Sequence, residues 1–186
     1  MVPVSLVGVY AIGPENFLCA LLHWEEKGRF VPVWLPPLEG TQLLARLNGW
    51  SPSRPTTQDL LADVITESAQ GVQSVEISGY VNGTFMATVT MEDGSELDAR
   101  ASDALALAVI LDIAVEMDES VVAQAGLWIS PADAKQYFDL DIAEAEEDTA
   151  GSDPAADTAF AQLMRDLGVE ESELMDPDEG EPGDLD

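Results

Sequence analysis

The chain is short of the residues that most often carry chemistry. Its 186 residues include one cysteine, one histidine and only seven lysines and arginines. A single cysteine excludes an intrachain disulfide framework. Cys19 lies in the apolar run of residues 17–22, where it reads as a small buried hydrophobe and not as a nucleophile. One histidine, His23, set beside Trp24 in a predicted strand, leaves a Ser/His/Asp mechanism or a Cys/His metal cluster without support. Glycine-rich phosphate loops are absent. No apolar run approaches the roughly 18 residues needed to span a bilayer. Residues 1–14 carry no basic start and are broken by Pro3, Gly8, Gly13 and Pro14, unlike a secretory signal. A cytoplasmic protein with no membrane contact is the expectation.

What the chain has in excess is acid. The formal net charge is −29, and its distribution is uneven. Residues 1–138 hold 18 acids and 6 bases, whereas residues 139–186 hold 18 acids and one base, Arg165. An acidic C-terminal extension therefore follows a more ordinary domain. Nucleic-acid phosphates are repelled by such a chain unless its few bases are clustered or a cation intervenes. The hydrophobic fraction of 46% is enough for a real core.

Alternation and turn residues predict the elements. Residues 1–10 read as a strand, with Val2, Val4 and Leu6 on one side and Val7 and Val9 on the other. Residues 17–24 form a second strand, with too few polar positions for a wet face. Residues 30–35 form a third, and Pro32 assigns it to an edge or a bulge. Two helices follow, over residues 38–47 and 58–69, the second capped by Thr56 or Thr57 with Leu60, Leu61, Val64 and Ile65 as its buried stripe. Asn82-Gly83 and Asp93-Gly94 then turn a three-stranded meander. It ends at Arg100, where Ser102 caps an all-round apolar helix, residues 104–111. A short strand (113–117) and a helix (119–125) come next.

The fold class expected is α+β: a mixed, largely antiparallel sheet with hairpins, a meander and a buried helix, in one domain with an acidic extension. The domain covers residues 1–128. Residues 129–156 hold a short helix and an acidic linker, 157–168 an amphipathic helix capped by Asp157, and 169–186 a disordered acidic tail.

Carboxylates and arginines share similar settings. Asp59 lies in the first turn of one helix, shortly after Arg54 and Thr57. Asp103 lies in the first turn of another, beside Ser102 and shortly after Arg100. Glu39 starts a third. Acids in first helical turns are routinely caps. If the three helix starts converge, they instead assemble hard oxygen ligands suited to Mg2+ or Mn2+, with arginines and free N–H groups suited to phosphate oxygens.

The order of these segments resembles the bifunctional nuclease domain family, bacterial proteins with plant relatives. Its pattern has a start like Val2-Pro3-Val4, then a glutamate matched by Glu39. An Arg-Pro-x-Thr-His-Asp-Leu segment is matched by Arg54, Pro55, Thr56, Thr57, Gln58, Asp59 and Leu60. An Arg-Pro-Ser-Asp-Ala segment is matched by Arg100, Ala101, Ser102, Asp103 and Ala104 and the apolar helix after them. The resemblance covers about residues 1–128, and the helix around Phe160 is similar to the C-terminal extension of actinobacterial members. It implies DNase or RNase activity and a homodimer.

Three departures stand out. Gln58 replaces the family histidine and cannot take up a proton near neutral pH. Ala101 replaces a proline, and Leu35-Pro36-Pro37 replaces an Ile-Gly type turn. Two readings follow. In one, Asp59, Asp103, Glu39 and Gln58 serve phosphodiester hydrolysis, with the three acids as metal ligands and Arg54, Arg100, Thr57 and Ser102 binding phosphate of a short nucleic acid or nucleotide. In the other, the same residues cap helices in a non-catalytic dimeric module, and the tail helix docks on its own domain or on a partner.

Overall fold

Seven strands form one sheet in the computed structural model, which describes residues 1–68, 71–142 and 154–169. They are β1 (Val2–Ile12), β2 (Phe17–Trp24), β3 (Arg29–Leu35), β4 (Val72–Val81), β5 (Thr84–Met91), β6 (Glu96–Arg100) and β7 (Val115–Met117). Their spatial order is β3-β2-β1-β7-β4-β5-β6. Every neighbouring pair is antiparallel except β4 with β7. This is the α+β class that the hairpin turns predict. Asn82 and Gly83 both take positive φ, 50° and 81°, as a two-residue hairpin turn requires. Proline-bearing β3 is an edge strand, where a missing N–H costs no ladder bond.

Both faces of the β1–β3 half are covered. Cys19, Ala20, Leu21 and Leu22 are each fully buried, so β2 has no wet face. Ala20 and Leu22 join one apolar cluster, Cys19 and Leu21 the other. Strand β1 departs from simple alternation. A bulge between Leu6 and Gly8 shifts its register, so Val9 returns to the cluster that holds Val2 and Val4 while Val7 faces the opposite one.

Helices α1 (Pro37–Leu47), α2 (Thr57–Ser68) and α3 (Ala101–Leu111) join the first cluster. Helix α3 is the buried centre, with Ala104 through Ala108 all at most 5% exposed. It begins earlier than expected. Arg100 occupies its N-cap position with no side-chain cap, and Ser102 is a buried residue of the first turn rather than the cap. Helix α2 corrects a second expectation. Ile65 is buried, but Leu60, Leu61 and Val64 are 58%, 49% and 48% exposed, and Ala62 joins Ile65 in the core instead. Its apolar arc is wider than the strip on which it meets its neighbours.

Helix α4 (Glu119–Ala125) supplies Val121 and Val122 to the same cluster. The second cluster is closed by α5 (Pro131–Phe138) and α6 (Pro154–Asp166), through Ala134, Phe138, Phe160 and Met164. Helix α6 starts three residues before Asp157, which is therefore not its cap. Residues 143–153 and 170–186, where most of the acidic linker and tail were expected, lie outside the described residues. Among the described residues no helix is long and apolar enough to cross a membrane.

Candidate functional site

Two arginine–carboxylate clusters flank α1, and the sequence positions each by local means. The first forms where β6 ends. Arg100 turns its fork onto Asp103 in the first turn of α3, with Nε to Oδ2 at 2.7 Å and Nη2 to Oδ1 at 3.1 Å. Its remaining nitrogen, Nη1, lies 2.9 Å from Glu39 Oε1. Parallel N–H···O bonds of this kind are the strong, geometrically specific form of the ion pair. The Arg100 guanidinium stays open to solvent at 61% exposure, against 37% for Asp103 and 17% for Glu39. Hydrogen bonding to Asp103, with the charges of Asp103 and Glu39, raises its pKa further above the ordinary arginine value.

Glu39 reaches Arg100 because α1 sits tight on the sheet. Pro36 and Pro37 start the helix, and Gly40 then passes over Leu18 and Leu35. A Cβ on Gly40 would come within 2.7 Å of Leu18 Cδ1 and 2.8 Å of Leu18 Cβ. Glycine at this position lets the helix approach the strands closely enough to aim Glu39 at the start of α3.

The second cluster joins the other end of α1 to the start of α2. Thr56, not Thr57, makes the cap, donating its amide and its hydroxyl to Asp59 Oδ2 at 2.7 Å each. Arg46 hydrogen-bonds Asp59 Oδ1 and, at 3.2 Å, Thr56 Oγ1. Both charged side chains are mostly buried, at 11% and 18% exposure. Burial pushes the Asp59 carboxyl up, but the Thr56 hydroxyl and amide bonds and Arg46 outweigh it and hold the pKa below 3.8. Arg46 is the residue that sequence reasoning missed. Its place in the last turn of a helix is ordinary, and nothing local links it to a carboxylate 13 residues on.

Glu39, Arg100 and Asp103 are thus brought together, while Asp59 joins Arg46 and Thr56 instead of Arg54. Arg54 is exposed and forms no ion pair or side-chain hydrogen bond among the described residues. Thr57 is the exposed first residue of α2, Gln58 is half-buried beside Asp59, and Ser102 is buried at 6% beside Asp103. Glu39 and Arg46 are seven residues apart, about 10 Å along α1 at 1.5 Å per residue. A divalent cation does not fit the donors as arranged, because each carboxylate already accepts from an arginine. Among the described residues no group of three or more His, Cys, Asp or Glu side chains is placed to hold a metal. Two other groups are excluded on physical grounds. Burial pushes the Cys19 thiol up to about 12. His23 is stacked on Phe30 at 4.2 Å, and burial lowers its pKa against the opposing charge of Glu25.

Fold and site together define a single-sheet α+β domain with an arginine–carboxylate centre at the start of its buried helix. The bifunctional nuclease domain matches residues 20–130, and the chain belongs to that family. Two uncharacterized proteins of Mycobacterium tuberculosis, from strains CDC 1551/Oshkosh and H37Rv, are each 32% identical over 126 residues. The match covers 68% of this chain and 77% of each relative.

Proposed function

We propose that this protein is a cytoplasmic nuclease that hydrolyses phosphodiester bonds in short DNA or RNA at the Glu39–Arg100–Asp103 cluster. The observation that carries the reading is the exposed Arg100 guanidinium, held ready by two carboxylates at a helix start. A substrate phosphate displaces one carboxylate from the fork, and Arg100, cationic throughout, neutralises charge on the phosphoryl oxygens. The freed Asp103 carboxylate takes the proton of an attacking water. The water oxygen bonds to phosphorus, the ester P–O bond breaks, and the leaving oxygen takes a proton from solvent as Asp103 releases its own. Net charge confines the substrate to short strands and makes binding salt-sensitive.

The test is cleavage of labelled single-stranded DNA and RNA oligonucleotides of about ten nucleotides, in EDTA and with Mg2+ or Mn2+. Wild type cleaves and Asp103→Asn does not. Full activity in Asp103→Asn overturns the assignment. Cleavage by neither protein in any buffer supports the second reading, a non-catalytic module, which the complete pairing of Glu39, Asp59 and Asp103 with arginines also favours.

A second copy of the chain is the partner we assign to α2. Leu60, Leu61 and Val64 form an exposed stripe, with Arg54, unpaired among the described residues, before the helix and exposed Glu67 in its last turn. Two α2 helices packed antiparallel about a two-fold axis bury the stripe and bring each Arg54 toward the other copy's Glu67. Leu61→Asp then gives a monomer by sedimentation. Equal masses for wild type and variant refute the interface.

A further inference from the structure

Four of the seven basic residues of this acidic chain are committed to partners. Arg46, Arg100 and Lys135 form ion pairs, and Arg165 hydrogen-bonds Gln162. Lys27, Arg29 and Arg54 are left without a side-chain partner among the described residues. Two of those three uncommitted cations line one cavity. It has a volume of about 420 Å3 and lies between the turn joining β2 to β3 and helix α4, with Trp24, Lys27 and Arg29 on one side and Glu119 and Val122 on the other. Glu119 shares the cavity but forms no ion pair with either cation.

Trp24 adds an independent observation. Its Nε1 is the one buried side-chain polar atom without a hydrogen-bond partner among the described residues. Orphaned buried donors are rare in folded proteins and call for a ligand, a water or a strain to explain them. Trp24 also lines a neighbouring cavity of about 380 Å3, together with Pro3, Val4, Ser5 and His23. An aromatic face beside two unpaired cations is the arrangement that stacks a base and holds its phosphate. The volume falls within the range of small-molecule sites.

We propose that this cavity binds a nucleoside monophosphate, with its phosphate on Lys27 and Arg29 and its base on the Trp24 ring. The site is distinct from the Glu39–Arg100–Asp103 cluster. Seven paired positions from Leu18↔Leu35 to Trp24↔Arg29 separate the α1 end of the β2–β3 hairpin from this end, about 20 Å at the rise of a strand. The site stands whether or not the chain cleaves nucleic acid. The small dianion also avoids most of the repulsion a long strand meets, since within the cavity Lys27 and Arg29 outnumber the one carboxylate, Glu119.

Calorimetric titration of the full chain with AMP, adenosine and inorganic phosphate tests the proposal. AMP binds at millimolar concentration or tighter. Lys27→Ala/Arg29→Ala weakens it at least tenfold, and Trp24→Phe weakens it severalfold. Arg100→Ala leaves it unchanged, which separates this site from the nuclease reading. Circular dichroism checks the fold, and Lys27→Gln alone replaces the double variant if that one unfolds, with a loss of severalfold expected. Four outcomes overturn the proposal: no heat up to about 10 mM AMP, adenosine or phosphate binding as tightly as AMP, affinity unchanged by the Lys27 and Arg29 substitutions, or loss of binding in Arg100→Ala.

Discussion

The two arginine–carboxylate clusters use the same ingredients and differ in exposure. Arg46 and Asp59 are sealed, and every polar atom drawn into that cluster serves to fasten α1 to α2. Arg100 bonds both Glu39 and Asp103, but its guanidinium is mostly in solvent. A sealed ion pair is a structural device whose loss strands a buried charge. An open one contributes little to stability, because water competes for it, yet it can exchange a carboxylate for a ligand oxygen. Accessibility, and not residue type, separates the scaffold from the candidate site.

Four substitutions or conditions press on that difference. The largest effect is expected for Arg100→Ala, which should lower kcat/KM for oligonucleotide cleavage by about a hundredfold, the scale of removing one transition-state donor. Its melting temperature should stay close to wild type, as a thermal melt would show. Gly40→Ala drives a methyl group into Leu18, so a loss of about 1–3 kcal/mol is expected from overpacking. Because it also lifts Glu39 away from Arg100, cleavage should fall together with the urea midpoint. Arg46→Ala leaves Asp59 partly buried without its cation, at about 1–3 kcal/mol, while cleavage per folded molecule stays within a fewfold. The smallest effect is in acid. The Asp59 pKa is lower folded than unfolded, so its contribution is fully present above about pH 4 and is lost as pH falls through the folded value. Denaturation midpoints of wild type and Asp59→Asn should therefore converge below pH 4. A gap that persists at pH 2 would show that the carboxylate's charge is not what fastens the helices.

Much of this was legible in residues whose neighbours along the chain decide their state. Asn82-Gly83 specifies a hairpin by its need for positive φ, Pro32 specifies an edge, and the unbroken apolar run of β2 requires cover on both faces. The Arg100–Asp103 pair could be read because the two lie three residues apart at a helix start. What stayed hidden depends on packing between distant segments. Leu60, Leu61 and Val64 have the spacing of a core stripe, and only the position of α2 against its neighbours leaves them in solvent. Asp59 had a nearer arginine in sequence, Arg54, but the loop after α1 presents Arg46 to it. The bulge in β1 that returns Val9 to the first cluster has no residue signal beyond Gly8. The Trp24–Lys27–Arg29 cavity was invisible for a similar reason, since half of its wall comes from α4.

The most direct measurement compares Asp103→Asn with Asp59→Asn in parallel, recording thermal melts and oligonucleotide cleavage at equal concentrations of folded protein. A crossed result is expected: Asp103→Asn melts like wild type and does not cleave, whereas Asp59→Asn melts earlier and cleaves normally once folded. Two variants that lose stability and cleavage in equal proportion would contradict it, and would make both clusters parts of the scaffold.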